Sequence, residues 1–256
     1  MVRSLSLLSF VIFLSASLYA ANLDFSIGGL RQDPSGKIEY EGTRISIDND
    51  LKLGKRTRVE ARLKIEHPLP TIPNVYLQYI PMRFKGVNRI AREIEYGGRR
   101  FQANTDLYSE LRLDHYDLGL YANVGFIQKL TGDMLDPELG LNVRLLGFKG
   151  KLTGTDVLTG QEVTESKSFN VPIPMLYAGL GYRIPGAPLK VRGEFRTLPV
   201  SRVKYYDLLG ELRINPVKYA YLSLGYRYEK LKIDKIGDVY SDVRIKGPFM
   251  MVGVEF

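Results

Sequence analysis

Long stretches of this chain alternate strictly between apolar and polar residues. In 58–66 the apolar residues Val59, Ala61, Leu63 and Ile65 are each separated by a charged residue. A period of two places alternate side chains on opposite faces of a β-strand, and almost no stretch shows the 3.6-residue period of a helix. The pattern therefore predicts an all-β fold.

Alternation and turn residues together predict ten antiparallel strands. The predicted strands are 23–30, 57–66, 74–85, 110–125, 139–153, 169–184, 188–198, 203–214, 218–233 and 242–256. Short turns at 67–70, 184–188 and 215–216 fall on one side, and longer polar loops at 31–56, 86–109, 154–168 and 234–241 on the other. The 126–138 connection is long for a turn, so an extra hairpin, or a count of eight or twelve strands, stays open.

The N-terminus has the order of a secretory signal peptide. Arg3 precedes an apolar run, Leu5–Leu18, and the small pair Ala20-Ala21 follows. A membrane-anchoring helix is the alternative, but the run is shorter than the ~20 residues that a bilayer span needs. We expect a signal peptide at 1–20, cleaved near Ala20, and one exported domain at 21–256.

A soluble β-sandwich also alternates, but three features favour a transmembrane β-barrel. Charged residues, Tyr and Gly recur at strand centres, as they do in a narrow barrel lumen. The strands are about ten residues long, as a tilted membrane strand requires. The segment 248–256 alternates up to a terminal aromatic, Phe256, which looks like the assembly signal of outer-membrane barrels.

Composition and charge narrow the function classes further. The net charge is +8, but basic and acidic residues are mixed along the chain instead of forming a basic stripe, so no nucleic-acid partner is expected. The chain has no Cys, which excludes disulfides and thiolate chemistry. No cofactor or metal site is predicted.

The charged faces of the strands predict a lumen lined by both signs of charge. The predicted lumen cations are Arg58, Arg62, Lys64, Arg144, Arg183, Lys190, Arg192, Arg196, Arg213 and Arg227. The predicted anions are Asp24, Glu60, Glu66, Asp117, Glu194, Asp207, Glu211, Glu229 and Glu255. Buried charges need partners or water, so two interpretations are possible. The barrel is either a scaffold plugged by salt bridges or a narrow channel for small solutes with a weak preference for anions.

Candidate catalytic and metal-binding residues are few. His115 has Asp114 and Asp117 close by and Ser109 upstream, which leaves a lipid- or peptide-hydrolysing enzyme as an alternative. Adjacent residues on a strand face opposite ways, however, so Asp114 does not form a dyad with His115. His67 is predicted to be a turn residue. The acidic clusters 48–50 and 234–238 lack the spacing of a calcium-binding loop. No catalytic residue is predicted.

Several short motifs occur in a fixed order along the exported part of the chain. They are Gly28-Gly29 followed by 34–36, and then 69–74, 105–108, 171–177, 206–207, 224–227 and 246–248. In this order they resemble a family of small outer-membrane barrels named for a Gly-Gly motif near the mature N-terminus, and more generally small barrels of the OmpW and OmpA type. The resemblance implies an outer-membrane location but carries no activity.

The expected partners follow from that location. They are outer-membrane lipids and, during biogenesis, periplasmic chaperones and the barrel-assembly machinery, with the mature protein a monomer. An adhesin or receptor acting through the long loops is a further alternative.

Overall fold

The computed structural model describes residues 22–69, 72–199, 202–236 and 239–256. The expected signal peptide therefore lies outside the described residues. The described chain forms an antiparallel barrel of ten strands, closed by pairing between its first and last strands. The predicted fold class and strand count are confirmed, and counts of eight and twelve are wrong.

The strand bounds follow the chain in order. They are β1 (Asn22–Tyr40), β2 (Ile45–Ser46), β3 (Arg56–Glu66), β4 (Asn74–Ile80), β5 (Arg83–Arg89), β6 (Ile94–Tyr96), β7 (Arg99–Phe101), β8 (Asp106–Asn123), β9 (Leu135–Thr155), β10 (Glu162–Arg183), β11 (Leu189–Pro199), β12 (Val203–Val217), β13 (Ala220–Ile236) and β14 (Val239–Glu255). Strands β4 and β5 both pair with β8 and share one position in the wall, while β6 and β7 form a separate hairpin.

One end of the barrel, here called the turn end, holds Asn22, Phe256 and the short connections. The long 126–138 connection contains no extra hairpin; it begins with a short helix, α1 (Gly125–Leu130). No helix in the described residues is long and apolar enough to cross a membrane. The opposite end is here called the extended end.

The strands reverse their apolar face partway along their length. In the turn-end half of β8, outward Leu118 and Leu120 are about half exposed, while inward Asp117 is buried. In its extended half, inward Leu111 and Leu113 are buried, while outward Arg112 is partly exposed. Strands β1, β9 and β13 reverse in the same way, whereas β14 changes only its outward face, since its inward residues Phe249 and Met251 are buried apolar side chains in the turn-end half.

The reversal divides the barrel into two halves with opposite polarity. The turn-end half has a polar interior and an outer surface of apolar side chains, here called the apolar belt. On β14 this belt runs over Pro248–Phe256, nine residues or roughly 23 Å along the barrel axis at ~3.4 Å per residue and a tilt of ~40°. The extended half has an apolar interior and a charged outer surface, as a water-soluble barrel does.

The reversal also explains why the predicted loops were too long. Strand β1 continues to Tyr40, β8 begins at Asp106 and β10 begins at Glu162, all inside segments predicted as loops. The outward face in these segments is polar, so a search for one continuous apolar face stops at the reversal. The loop after β1 also contributes apolar side chains, Ile45 and Ile47, to the interior of the extended half.

Candidate functional site

Buried, charged side chains fill the interior of the turn-end half. Seven acidic and seven basic residues form one continuous set of ion pairs, here called the lumen network. Its members are Glu60, Arg62, Lys64, Asp117, Glu138, Arg144, Arg192, Glu194, Arg196, Asp207, Glu211, Arg213, Arg227 and Glu229. The charges of these fourteen buried residues cancel, and Arg213 at the edge of the set also pairs with the half-buried Asp24 and the exposed Glu255.

Arg144 lies at the centre of the lumen network and has no exposed surface. Its guanidinium binds Asp117 through two hydrogen bonds of 2.7 Å each, a bidentate geometry that a planar guanidinium matches. The same group donates to Asp207 at 2.5 Å and to Glu229 at 2.9 Å. Three strands besides its own are therefore joined through one side chain.

A second part of the network lies on the β10–β11 side. Glu138 accepts hydrogen bonds from Lys64 at 2.8 Å, from Arg192 at 2.6 Å and from the hydroxyl of Tyr177 at 2.6 Å. Arg192 and Lys64 also approach Glu194, at 2.9 and 3.5 Å. These contacts cross the lumen from β3 to β9 and β11.

The third part extends towards the turn end. Arg62 bridges Glu60 on its own strand at 3.0 Å and Glu211 across the barrel at 2.9 Å. Arg213 continues the chain of contacts from Glu211 to Asp24 on β1 at 2.7 Å. These contacts continue the network from the β1–β3 wall to β12.

Aromatic side chains pack around the cations. Tyr76, Tyr121 and Tyr177 form a buried cluster, and the guanidinium of Arg196 lies 4.6 Å from the ring centre of Tyr76. Lys64 lies 4.7 Å from the ring centre of Tyr121. Ring faces attract desolvated cations, so these rings stabilise charges that are largely removed from water.

Three of the predicted lumen residues, Arg58, Arg183 and Glu255, are exposed. Arg58 donates to the backbone carbonyl of Arg83 at 3.5 Å near the wall position shared by β4 and β5, and Arg183 lies at the turn-end mouth. The alternation along their strands directs the side chains of Arg58 and Arg183 towards the interior, but each lies at a level where neighbouring strands have already ended. Asp24, Glu66 and Lys190 are half-buried at the turn-end mouth. The remaining predicted lumen residues are buried in the lumen network.

Several members of the interior are not predicted by the sequence pattern. Glu138 was assigned to the 126–138 connection, although extending the alternation of β9 by one residue before Leu139 places it inward. Tyr76, Tyr177 and Tyr205 were missed because Tyr occurs on both faces of the strands and its pattern alone does not separate them.

His115 lies at the level where the interior changes from polar to apolar. It is fully buried; its Nδ1 lies 3.1 Å from the carbonyl oxygen of Leu113, and its Nε2 lies 3.8 Å from Glu229. Asp114 faces outward and binds Arg83 at 2.7 Å. Ser109 also faces inward, but its hydroxyl donates to backbone carbonyls, including that of Leu51 at 3.2 Å. These contacts do not assemble a nucleophile and base around His115.

A polar basin of about 290 Å³ occupies the turn-end mouth. Asp136 lines it and contacts Lys190 at 3.3 Å and Asn123 at 3.0 Å. The side-chain amide of Gln128 also donates to the Asp136 carboxylate. The basin ends at Lys64 and Arg192 of the lumen network.

The extended half contains an apolar cavity of about 330 Å³. Its walls come from β1, β6 and every strand from β8 to β14, with Leu113, Leu146 and Val171 among the lining residues. The lumen network thus lies between a polar basin at the turn end and an apolar cavity at the extended end.

Comparisons with known proteins give structural likeness only. No family model matches the chain, and no curated protein matches it in sequence. Among solved structures, the outer-membrane protease OmpT of Escherichia coli is similar, with 10% identity, a TM-score of 0.48, and coverage of 92% of this chain and 96% of that one.

Two further structures are similar at lower scores. The translocator domain of the autotransporter NalP of Neisseria meningitidis has 13% identity and a TM-score of 0.43, covering 92% of this chain and 87% of that one. Ail, the attachment invasion locus protein of Yersinia pestis, solved with a heparin analogue, has 12% identity and a TM-score of 0.31, covering 92% and 99%. Likeness at this level transfers no activity.

Proposed function

We propose that this protein crosses the bacterial outer membrane as a closed barrel and acts as a non-conducting scaffold that carries its extended half outside the membrane. The observation that supports the closed state is the lumen network, in which every side chain is at most 8% exposed. A barrel of ten strands is only slightly wider than one that side chains fill completely.

The apolar belt supports the membrane location. Its outward side chains include Leu141 and Val252, which are 63% and 59% exposed. An apolar surface that encircles a protein would be an aggregation liability in water but matches the ~25 Å band of an outer-membrane barrel. The turn end would face the periplasm and the extended end the exterior, because periplasmic connections are short.

The charge balance argues against an anion channel. The seven cations are matched by seven buried anions, and Arg213 pairs in addition with Asp24 and Glu255, so no surplus of positive charge remains to select an anion. The polar basin at the turn end is the feature that favours the second candidate, a narrow small-solute channel, because water and small ions can reach Lys64 and Arg192 from that side. Conduction would still require the lumen network to separate.

Single-channel recording in planar lipid bilayers tests this proposal. We expect no stepwise conductance from the wild-type protein when a gel-mobility shift on heating shows that the same preparation is folded. Stepwise openings whose ion selectivity changes in Arg192→Gln would overturn the closed state and establish the channel. The control Lys149→Gln, on the outer face of β9, should behave as the wild type does.

Assembly is proposed to use the chain's last residue. Phe256 is 63% exposed and its ring stacks on Tyr219 with centroids 5.8 Å apart at the turn end. A terminal aromatic at that position is available to the assembly machinery from the periplasmic side. We also propose that the mature protein is a monomer and that periplasmic chaperones bind the chain during assembly.

A further inference from the structure

The wall of the extended half has a gap beside β10. Residues Leu176–Arg183 of β10 pair with β11, whereas Glu162–Met175 pair with β9 and have no strand on their other side among the described residues. Strand β11 ends at Pro199 and β12 begins at Val203, so these two strands stop well before the extended end of β10. The gap begins near the edge of the apolar belt that faces the extended end.

Two prolines keep this edge of β10 unpaired. The N–H of Arg183 donates towards β9, to Met134, and the N–H of Ile184 donates towards β11, to Leu189. Since N–H groups alternate along a strand, even-numbered residues of β10 direct theirs towards the β11 side. Pro172 and Pro174 therefore lack the donors that a strand filling the gap would need.

The apolar cavity reaches the gap. Leu198 and Val203 line it on one side of the gap, and the outward-facing Pro172 and Pro174 line it on the other. The cavity extends along β10 from Pro174 to Lys167, a distance of about 24 Å at ~3.4 Å per residue. Its shape is therefore long and suits a chain more than a compact molecule.

One cation lies at the far end of this cavity. Lys167 lines the cavity and its ammonium lies 5.1 Å from the ring centre of Tyr40. Glu39 also lines the cavity, but it is paired with Arg44 at 3.2 Å. Within the described residues Lys167 forms no ion pair, so it is available to an anionic group on a ligand.

We propose that the cavity binds a single-chain anionic amphiphile, a long-chain carboxylate. Its hydrocarbon chain lies among Leu113, Phe169 and Val171, its carboxylate pairs with Lys167, and it enters through the gap beside β10. Removing the chain from water drives binding, and the bound chain gains van der Waals contacts with the apolar walls of the cavity. The site is separate from the lumen network and does not depend on whether the lumen conducts.

Binding of labelled hexadecanoate to the mature protein in lipid nanodiscs tests this proposal, with empty nanodiscs subtracted and hexadecanol as the neutral probe. We expect saturable binding of both. Lys167→Gln should weaken hexadecanoate binding on the order of tenfold, the loss of one charge-assisted contact, and leave hexadecanol unchanged. Val171→Trp, which fills the cavity, should weaken both. Lys151→Gln, on the outer face of β9, should weaken neither.

Each variant is first shown to be folded by its gel-mobility shift on heating. Absence of saturable binding above empty nanodiscs, or binding that Val171→Trp leaves unchanged, would overturn the cavity as the site. Equal hexadecanoate binding by the wild type and Lys167→Gln would overturn the carboxylate. A two-chain phospholipid that co-purifies with the protein and that hexadecanoate does not displace would overturn the single-chain ligand.

Discussion

Replacing Arg144 with Met should strongly destabilise the barrel. Arg144 is the bidentate partner of Asp117, and the only other hydrogen bond to that carboxylate among the described side chains comes from Asn142 at 3.1 Å. Removing one partner of a buried ion pair costs about 3–5 kcal/mol, because the other charge stays buried without compensation. We expect the free energy of unfolding to fall by that amount.

The other two carboxylates around Arg144 keep a partner, so the expected cost is that of one lost pair. Asp207 retains Arg227 at 2.5 Å, and Glu229 retains Arg227 at 2.8 Å and the hydroxyl of Tyr205 at 2.8 Å. The double variant Arg144→Met, Asp117→Leu removes both charges and should be more stable than Arg144→Met alone by at least about 1 kcal/mol.

The assay is urea unfolding of the refolded protein in lipid vesicles, followed by circular dichroism and Tyr fluorescence, since the chain has no Trp. The matched control is Lys230→Met, which removes an outer-face pair with Asp242 at 3.3 Å, where each side chain is 28% exposed. That variant should lose less than about 1 kcal/mol. A loss below about 1 kcal/mol in Arg144→Met would refute the role assigned to the lumen network.

Three other outcomes follow from the structure. Gly28→Ala should lose about 1–3 kcal/mol in the same unfolding assay because its new methyl would meet the carbonyl oxygen of Met250, whereas Gly210→Ala, with no neighbour within 4 Å, should lose far less; equal losses would contradict this packing. Backbone hydrogen bonds from Thr159 and Leu158 lower the pKa of Asp156, so the ionised carboxylate stabilises the 156–161 turn fully above the ordinary carboxyl pKa and stops doing so as pH falls through the lowered value. Amide exchange in this turn, corrected for intrinsic rates, should accelerate over that pH interval. An exchange rate that does not change with pH there would contradict this role of Asp156. Phe256→Ala should reduce the amount of assembled barrel in cells while leaving refolding into vesicles nearly unchanged, and normal cellular assembly would argue against its signal role.

The sequence predicts the barrel wall well because one physical rule acts along most of it. Wherever one face contacts an apolar surrounding and the other a polar interior, alternation and turn residues locate the strand. The buried network members on β3, β11, β12 and β13 follow directly from that rule. Burial of Arg144, for example, follows from its place between Val143 and Leu145 on β9.

The extended half is harder to predict because its apolar residues face inward and its polar residues face outward, the reverse of the turn-end half. On β1 the outward residues change from Ile27 and Gly29 to Arg31 and Asp33, and nothing in a local window distinguishes this from the start of a polar loop. The pairing partners of each charge were also not predictable. They depend on register across the lumen, as between Arg62 and Glu211, which lie 149 residues apart.

A spin-label accessibility scan along β9 from 138 to 153, in vesicles, tests the central claim most directly, and the absence of Cys makes each single-Cys variant unique. The outward positions 139, 141, 143 and 145 should be open to oxygen and closed to a water-soluble nickel complex, with the reverse at 149, 151 and 153. The inward position 142, which is not a charged member of the lumen network, should be closed to both. Nickel access at every outward position would contradict a membrane barrel, and nickel access at 142 would contradict a sealed lumen.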